Sequence, residues 1–178
     1  MHRDVERVLY TEEALKERIA EIGKAMTADY QGKNPVFIGV LKGSFMFMAD
    51  LMRTIDLPCE VEFMAVSSYG NKSETTGAVR ITQDLDMDIE NRHAIIVEDI
   101  LDSGLTLNYL INYLKGRKPA SIEVCTLLDK PERRRAQVYP KYMGFTIPDA
   151  FVVGYGLDFA QQYRNLPYIG ILKPEVYQ

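Results

Sequence analysis

Ile95-Ile96-Val97-Glu98-Asp99-Ile100-Leu101-Asp102-Ser103-Gly104-Leu105-Thr106-Leu107 sets the terms for reading the rest of the chain. An apolar run ends at two carboxylates, a short hydroxyl-rich loop follows, and a helix opens after it. Such a loop presents unpaired backbone N–H groups at a helix N-terminus, where an anion is stabilised. Gly104 tolerates backbone angles that turn successive N–H groups into one nest. Ser103 and Thr106 add hydroxyl donors. The stretch therefore reads as a phosphate cradle, and it is not a P-loop, because the Gly-Lys-Ser/Thr ending is absent. Glu98, Asp99 and Asp102 would repel a bare phosphate. They fit a ligand that also carries hydroxyls, a metal ion or a removable proton, and Mg²⁺ prefers such oxygen donors.

Working outward, the flanking segments alternate helix and strand. Leu15, Ile19, Ile22, Met26 and Tyr30 recur at helical spacing, with Thr11 as N-cap, Glu12 and Glu13 in the first turn, and Gly32 at the stop. Pro35 to Leu41 is a continuous apolar run, read as a strand buried on both faces. Lys42-Gly43-Ser44 is a tight loop. Phe45, Met48, Met52 and Ile55 predict a second helix packed on the core. Cys59 to Ser68 reads as a strand in which Val61, Phe63 and Ala65 alternate with Glu60, Glu62 and Met64. The polar segment Tyr69 to Gly77 is long enough to suggest a functional loop, and Val79 to Thr82 a returning strand. Arg92 to Glu98 is the central strand and Thr106 to Gly116 a helix bearing Leu107, Leu110, Ile111 and Leu114. Ser121 to Leu128 is a further buried strand, Asp129 to Arg135 a charged, solvated turn, and Phe151 to Tyr155 and Tyr168 to Leu172 two short strands. The alternation predicts an α/β fold with a mostly parallel sheet. In such sheets ligands bind beyond the carboxyl ends of the strands. Lys42, Gly43, Ser68, Tyr69, Glu98, Asp99, Asp102, Lys130 and Asp158 all fall at such ends.

The 178 residues suit one domain, 1–178, with a substantial core. A net charge of −4 argues against nucleic-acid binding, which needs a basic face. The two cysteines, Cys59 and Cys125, read as buried thiols. No signal peptide and no membrane-spanning run is visible, so a cytoplasmic location is expected. His2 and His93 lack metal-ligand spacing.

The Ile95–Leu107 run resembles the phosphoribosyl pyrophosphate signature of the type I phosphoribosyltransferases. The resemblance extends over nearly the whole chain and narrows to the hypoxanthine-guanine phosphoribosyltransferases. Leu41-Lys42-Gly43 is similar to their pyrophosphate loop, in which the peptide after the lysine is implied to be cis. Ser68-Tyr69-Gly70 resembles the start of their mobile lid. Lys130 and Phe151-Val152-Val153-Gly154-Tyr155-Gly156-Leu157-Asp158 resemble their purine pocket, and Arg164 a pyrophosphate-contacting arginine.

The resemblance implies a central sheet with a small hood, Mg²⁺ as cofactor, a 6-oxopurine and phosphoribosyl pyrophosphate as small-molecule substrates, and a homo-oligomer, dimer or tetramer. It further implies these roles. Asp102 is the general base. Lys42, Gly43, Ser68, Tyr69 and Arg164 bind the pyrophosphate. Glu98, Asp99, Asp102, Ser103, Gly104, Leu105 and Thr106 bind the ribose phosphate. Lys130, Phe151, Val152 and Asp158 bind the purine, and Glu98, Asp99 and Asp158 serve the metal. Leu105 departs from members that carry lysine there. Two other readings stay open: a sister enzyme preferring xanthine and guanine, and an RNA-binding regulator on the same fold.

Overall fold

The computed structural model describes residues 1–68 and 79–178. Tyr69 and most of the expected lid, together with the side chain of Ser68, lie outside the described residues. The chain runs β1 (Val5–Tyr10), α1 (Glu12–Asp29), β2 (Val36–Leu41), α2 (Phe45–Met52), β3 (Glu60–Ser68), β4 (Val79–Gln83), β5 (His93–Leu101), α3 (Leu105–Lys115), β6 (Ser121–Asp129), β7 (Tyr142–Thr146), β8 (Val152–Val153), β9 (Ile169–Leu172) and α4 (Pro174–Tyr177).

Six strands form one sheet in the order β4-β3-β2-β5-β6-β7. Its pairs are parallel except β3 with β4. The alternation of side chains across strands explains the layering. Phe37, Ile95 and Val97 join α1 and α2 in one core. Val36, Ile38, Ala94 and Ile96 join Leu107, Leu110 and Leu114 of α3 in the core on the other face. Continuous apolar runs in β2 and β5 are thus accounted for, because both faces are covered. The helix α1 starts as expected, with Thr11 Oγ1 accepting from Ala14 N at 3.2 Å.

A second sheet of three antiparallel strands has the order β1-β9-β8. It is not detached from the first. Val152, Ile169 and Ile171 share a core with α1 and α2, while Val153, Tyr163, Leu166 and Leu172 make a smaller cluster of their own.

Several expectations need correction. The buried stripe of α2 is Phe47, Met48 and Leu51, and Phe45 is exposed. In β3 both faces carry packed side chains, Met64 buried on α3's side of the sheet and Phe63 packed on the α1–α2 side, while Val61 is exposed. The strand expected over Phe151–Tyr155 shrinks to β8. β1 and β7 were not expected at all. Finally, β5 runs on to Leu101, so Glu98 and Asp99 sit within the strand, not beyond it.

Candidate active site

The loop after β5 carries the phosphate-type cradle. Gly104 is the N-cap of α3 with φ +78°, a left-handed conformation that glycine adopts without a Cβ penalty. Leu105 N donates to Ser103 Oγ at 3.3 Å. The next two amides, of Thr106 and Leu107, have no hydrogen-bond partner among the described residues. Free first-turn N–H groups beside two hydroxyls suit an oxyanion.

This loop is held from behind by Arg134. Its Nε donates to Asp102 O at 3.1 Å, its NH1 to Val138 O at 2.7 Å, and its NH2 to Asp129 Oδ1. The main-chain N–H groups of Arg135 and Ala136 both donate to Ser103 O. The charged turn is therefore not simply solvated. Arg134 is a half-buried clamp, and Asp129 and Lys130 are buried.

Across the cleft lies the loop between β2 and α2. The cis peptide is Leu41–Lys42, one bond before the position expected, after Lys42. Ser44 Oγ donates to Val40 O at 2.6 Å and closes the turn. Gly43 lies against the Asp99 carboxylate, where a Cβ would fall 1.7 Å from Oδ2. Gly156, at φ +98°, closes on the same loop, since a Cβ on it would meet Gly43 O at 2.1 Å. Three segments far apart in sequence thus meet through two glycines.

The segment beyond β8 brings a cation cluster. Arg164 NH1 donates to Gly156 O at 2.7 Å, and its NH2 lies 2.9 Å from Asp158 Oδ1. Gln161 Oε1 accepts from both Lys42 Nζ and Arg164 NH2, each at 3.3 Å. Its own main-chain N–H donates to Asp158 Oδ2 at 2.8 Å. Gln161 was not among the expected residues, and only its position three residues before Arg164 could have suggested it. The cluster of Lys42, Gln161, Arg164 and Asp158 presents two positive groups toward one space.

Of the acid pair, Asp99 faces this cluster, where the charges of Arg164 and Asp158 both act on it. Burial raises the Glu98 carboxyl well above its ordinary range, and the neighbouring Asp99 charge adds to the effect. Burial also pushes Asp99 up to about 6, against the pull of the Ile100 amide and of Arg164. Carboxyls that resist ionisation when alone are ready to receive a cation. The donors are hard oxygens. Among the described residues no group of three or more His, Cys, Asp or Glu side chains gathers as a closed cage. Hard carboxylate oxygens of this kind fit Mg²⁺, which is bound through one or two carboxylates together with water and substrate oxygens.

The remaining expected residues surround a neighbouring hollow. Lys130 is only 7% exposed and its Nζ lies 3.7 Å from Asp149 Oδ1. Phe151 is 37% exposed, stacked on Tyr177 at 4.9 Å and met edge-on by Phe159 at 5.5 Å. Val152 turns its side chain into the core, so any ligand contact falls to its main chain. Asp102 lies between this hollow and the cradle. Leu105 is half-buried at the first position of α3. Ser68, the last residue of β3, pairs with Val79 of β4. On the side of α1 and α2, away from this hollow, Tyr155 donates its hydroxyl to Asp50 of α2, an anchor unread in the sequence. Tyr155 is held un-ionised by burial and that carboxylate.

The phosphoribosyl transferase domain family matches residues 8–160. The chain is 53% identical over 178 residues to hypoxanthine-guanine phosphoribosyltransferase of Bacillus subtilis, covering 100% of this chain and 99% of that one. It is 52% identical over 177 residues to the bifunctional protein TilS/HprT of Listeria innocua, where it covers 99% of this chain but spans 27% of the relative's length. A crystal structure of a hypoxanthine phosphoribosyltransferase from Staphylococcus aureus superposes with a TM-score of 0.97 at 53% identity, covering 100% of this chain and 97% of that one. The nest at Gly104, the acid pair on β5 and the glycine contacts around Lys42 are therefore those of a chain that belongs to the phosphoribosyltransferase family.

Proposed function

We propose that this chain is a purine-salvage enzyme that transfers the phosphoribosyl group of 5-phosphoribosyl 1-pyrophosphate to hypoxanthine and guanine, releasing pyrophosphate. The observation that carries the reading is the convergence of a free-amide nest, a carboxylate pair and a two-cation cluster around one cleft, with a buried lysine and an exposed aromatic ring beside it. The similar proteins named above support it.

In this reading the Thr106 and Leu107 amides, with Ser103 and Thr106 hydroxyls, receive the 5′-phosphate. Ser68 and Tyr69 are assigned to pyrophosphate binding. Lys42 and Arg164, bridged by Gln161, receive the pyrophosphate and neutralise it as it leaves. Glu98 and Asp99 receive the ribose hydroxyls. Glu98, Asp99 and Asp158 would hold Mg²⁺, which supplies charge neutralisation of the pyrophosphate when bound. Lys130 donates to the purine 6-oxo group, and Phe151 offers the ring for stacking. An adenine amino group would leave Lys130 without an acceptor, so adenine is rejected. Asp102 accepts the purine N–H proton and stabilises positive charge developing on the sugar.

The reading takes residues 1–178 as one domain, with the three-stranded sheet as its hood, and the assembly as a homo-oligomer. It places the enzyme in the cytoplasm, in keeping with Cys59 and Cys125 as free thiols. Among the described residues no helix is long and apolar enough to cross a membrane. The test is direct. Protein, Mg²⁺ and phosphoribosyl pyrophosphate are mixed with hypoxanthine, guanine, xanthine or adenine, and nucleotide formation is measured. Turnover with the first two supports the reading, xanthine preference replaces it by the sister activity, and no turnover with any purine sinks it.

A further inference from the structure

Arg133 and Arg134 are adjacent in sequence but do different things. Arg134 is 18% exposed at its side chain and fully engaged in holding the loop. Arg133 is 54% exposed and lies across the hollow. Its Nε is 3.0 Å from Asp102 Oδ1, and its NH1 is 3.4 Å from Asp149 Oδ1 on the opposite wall. Despite that proximity, Asp102 Oδ1 is buried and accepts no hydrogen bond among the described residues. The guanidinium thus meets it as a charge, off the line of its N–H groups. Asp102, Ser103, Glu132, Arg133 and Asp149 line the space between the walls.

We propose that Arg133 is a displaceable counter-ion of Asp102, and so a positioning residue for the base it covers. The proposal rests on the assignment of Asp102 as acceptor of the purine proton. In the empty site the guanidinium screens the carboxylate oxygen. A purine N–H, which can approach that oxygen in line, takes its place. Arg133 then stays on Asp149, which it already touches. Two facts favour displacement over permanence. The contact lacks a hydrogen bond, so a neutral N–H donor offers the oxygen something the cation does not. Although Oδ1 itself is covered, the two side chains as a whole are 54% and 42% exposed, so water screens their attraction. Covering the oxygen also prevents a second cation from settling on it while the site is empty.

The purine is uncharged, so competition with Arg133 makes its apparent affinity depend on salt. Screening weakens the Arg133–Asp102 attraction and leaves the N–H contact unchanged. The experiment measures KM for hypoxanthine at saturating phosphoribosyl pyrophosphate, at about 0.05 and about 0.5 M salt. It compares wild type with Arg133→Gln, Arg133→Met and Arg133→Lys. Removing the charge should lower KM about 2- to 5-fold, the size of an exposed ion pair, with kcat within about twofold. Wild-type KM should fall with salt, the two neutral variants should be flat, and lysine should behave as wild type. An unchanged or raised KM in the neutral variants, or a salt response they share with wild type, overturns the proposal. A merely structural Arg133 would instead lower thermal stability and kcat together, with no change in salt response. If wild type itself turns over no purine, the activity assignment fails, which is a separate result.

Discussion

Asp99 presses its carboxylate against the main chain of Gly43, leaving no room for a side chain there: a Cβ would sit 1.7 Å from Oδ2. The pair joins β5 to the loop carrying Lys42. Any substituent at 43 must push the acid off its position or shift the loop. Gly43→Ala is therefore expected to lower kcat/KM at least about 100-fold, since misplacing a reacting group by an ångström has that effect. Steady-state kinetics beside a circular dichroism spectrum checks it. A folded variant within threefold of wild type would refute the argument.

Asp99 also gives a pH-dependent stability with a defined sign. Burial raises its carboxyl from 3.8 to about 6 in the folded protein. The folded state therefore binds the proton more tightly than the unfolded one, and stability is lost as pH rises from about 4 to about 6. Asp99→Asn has no such group. In metal-free buffer the variant should match wild type near pH 4 and exceed it by about 1–3 kcal/mol at pH 7. Urea unfolding across that range measures the difference. Mg²⁺ with phosphoribosyl pyrophosphate should narrow it, and parallel pH curves for the two proteins would show the acid is not destabilised.

Asp102 is held by its carbonyl, through Arg134 Nε at 3.1 Å, independently of its side chain. Asp102→Asn should leave the loop in place. We expect kcat to fall about 10²- to 10³-fold, in the range of general-base loss, while the Kd of the nucleotide product changes less than threefold. Calorimetric titration beside kinetics separates the two. Equal losses in both would point to a binding role alone.

Lys130 sits in a buried position beside Asp149. If Lys130 reads the 6-oxo group as proposed, Lys130→Gln should raise the hypoxanthine KM about 10- to 100-fold and let adenine compete better, because the cation facing an amino group is gone. Competition assays with adenine read this out. Unaltered discrimination would move purine selection to another residue.

Lys42, Gln161 and Arg164 share one set of hydrogen bonds. Arg164→Ala should raise the KM for phosphoribosyl pyrophosphate more than tenfold, as expected for a lost charged contact. Gln161→Ala should have a smaller effect, and the double variant should fall short of the product of the two. Strict multiplicativity would mean that Gln161 does not connect them.

The site was legible in the sequence where chemistry and strand ends coincide. Continuous apolar runs at Val36–Leu41 and Ile95–Val97 can only be covered on both faces, and that alone sets Lys42 and the acids at the same edge. Other features were hidden for physical reasons. β1 reads Val-Glu-Arg-Val-Leu-Tyr, with charges interrupting any apolar run, because it pairs at the margin of a small sheet. β7 is short and half-exposed for the same reason. Its pairing with β6, like that of β1 with β9, is between segments whose local patterns are ambiguous. Arg134 acts through main-chain carbonyls and Gln161 through a loop conformation. Neither carries a spacing rule. Arg133 to Arg135 look alike in sequence, and only their partners tell the clamp from the bridging arginine.

The two sheets differ in depth. β5 lies between two large cores, whereas the cluster specific to the three-stranded sheet has only Val153, Tyr163, Leu166 and Leu172 fully buried. Opening free energy follows such differences, so amide hydrogens of β5 should exchange last and those of β8 and β9 much sooner. The residues proposed to receive the sugar phosphate hang from the slow half, and Phe151 and Asp158, proposed for the purine, from the fast one. On the proposed assignment the molecule is graded mechanically: stiff where every substrate is alike, compliant where one heterocycle must be told from another.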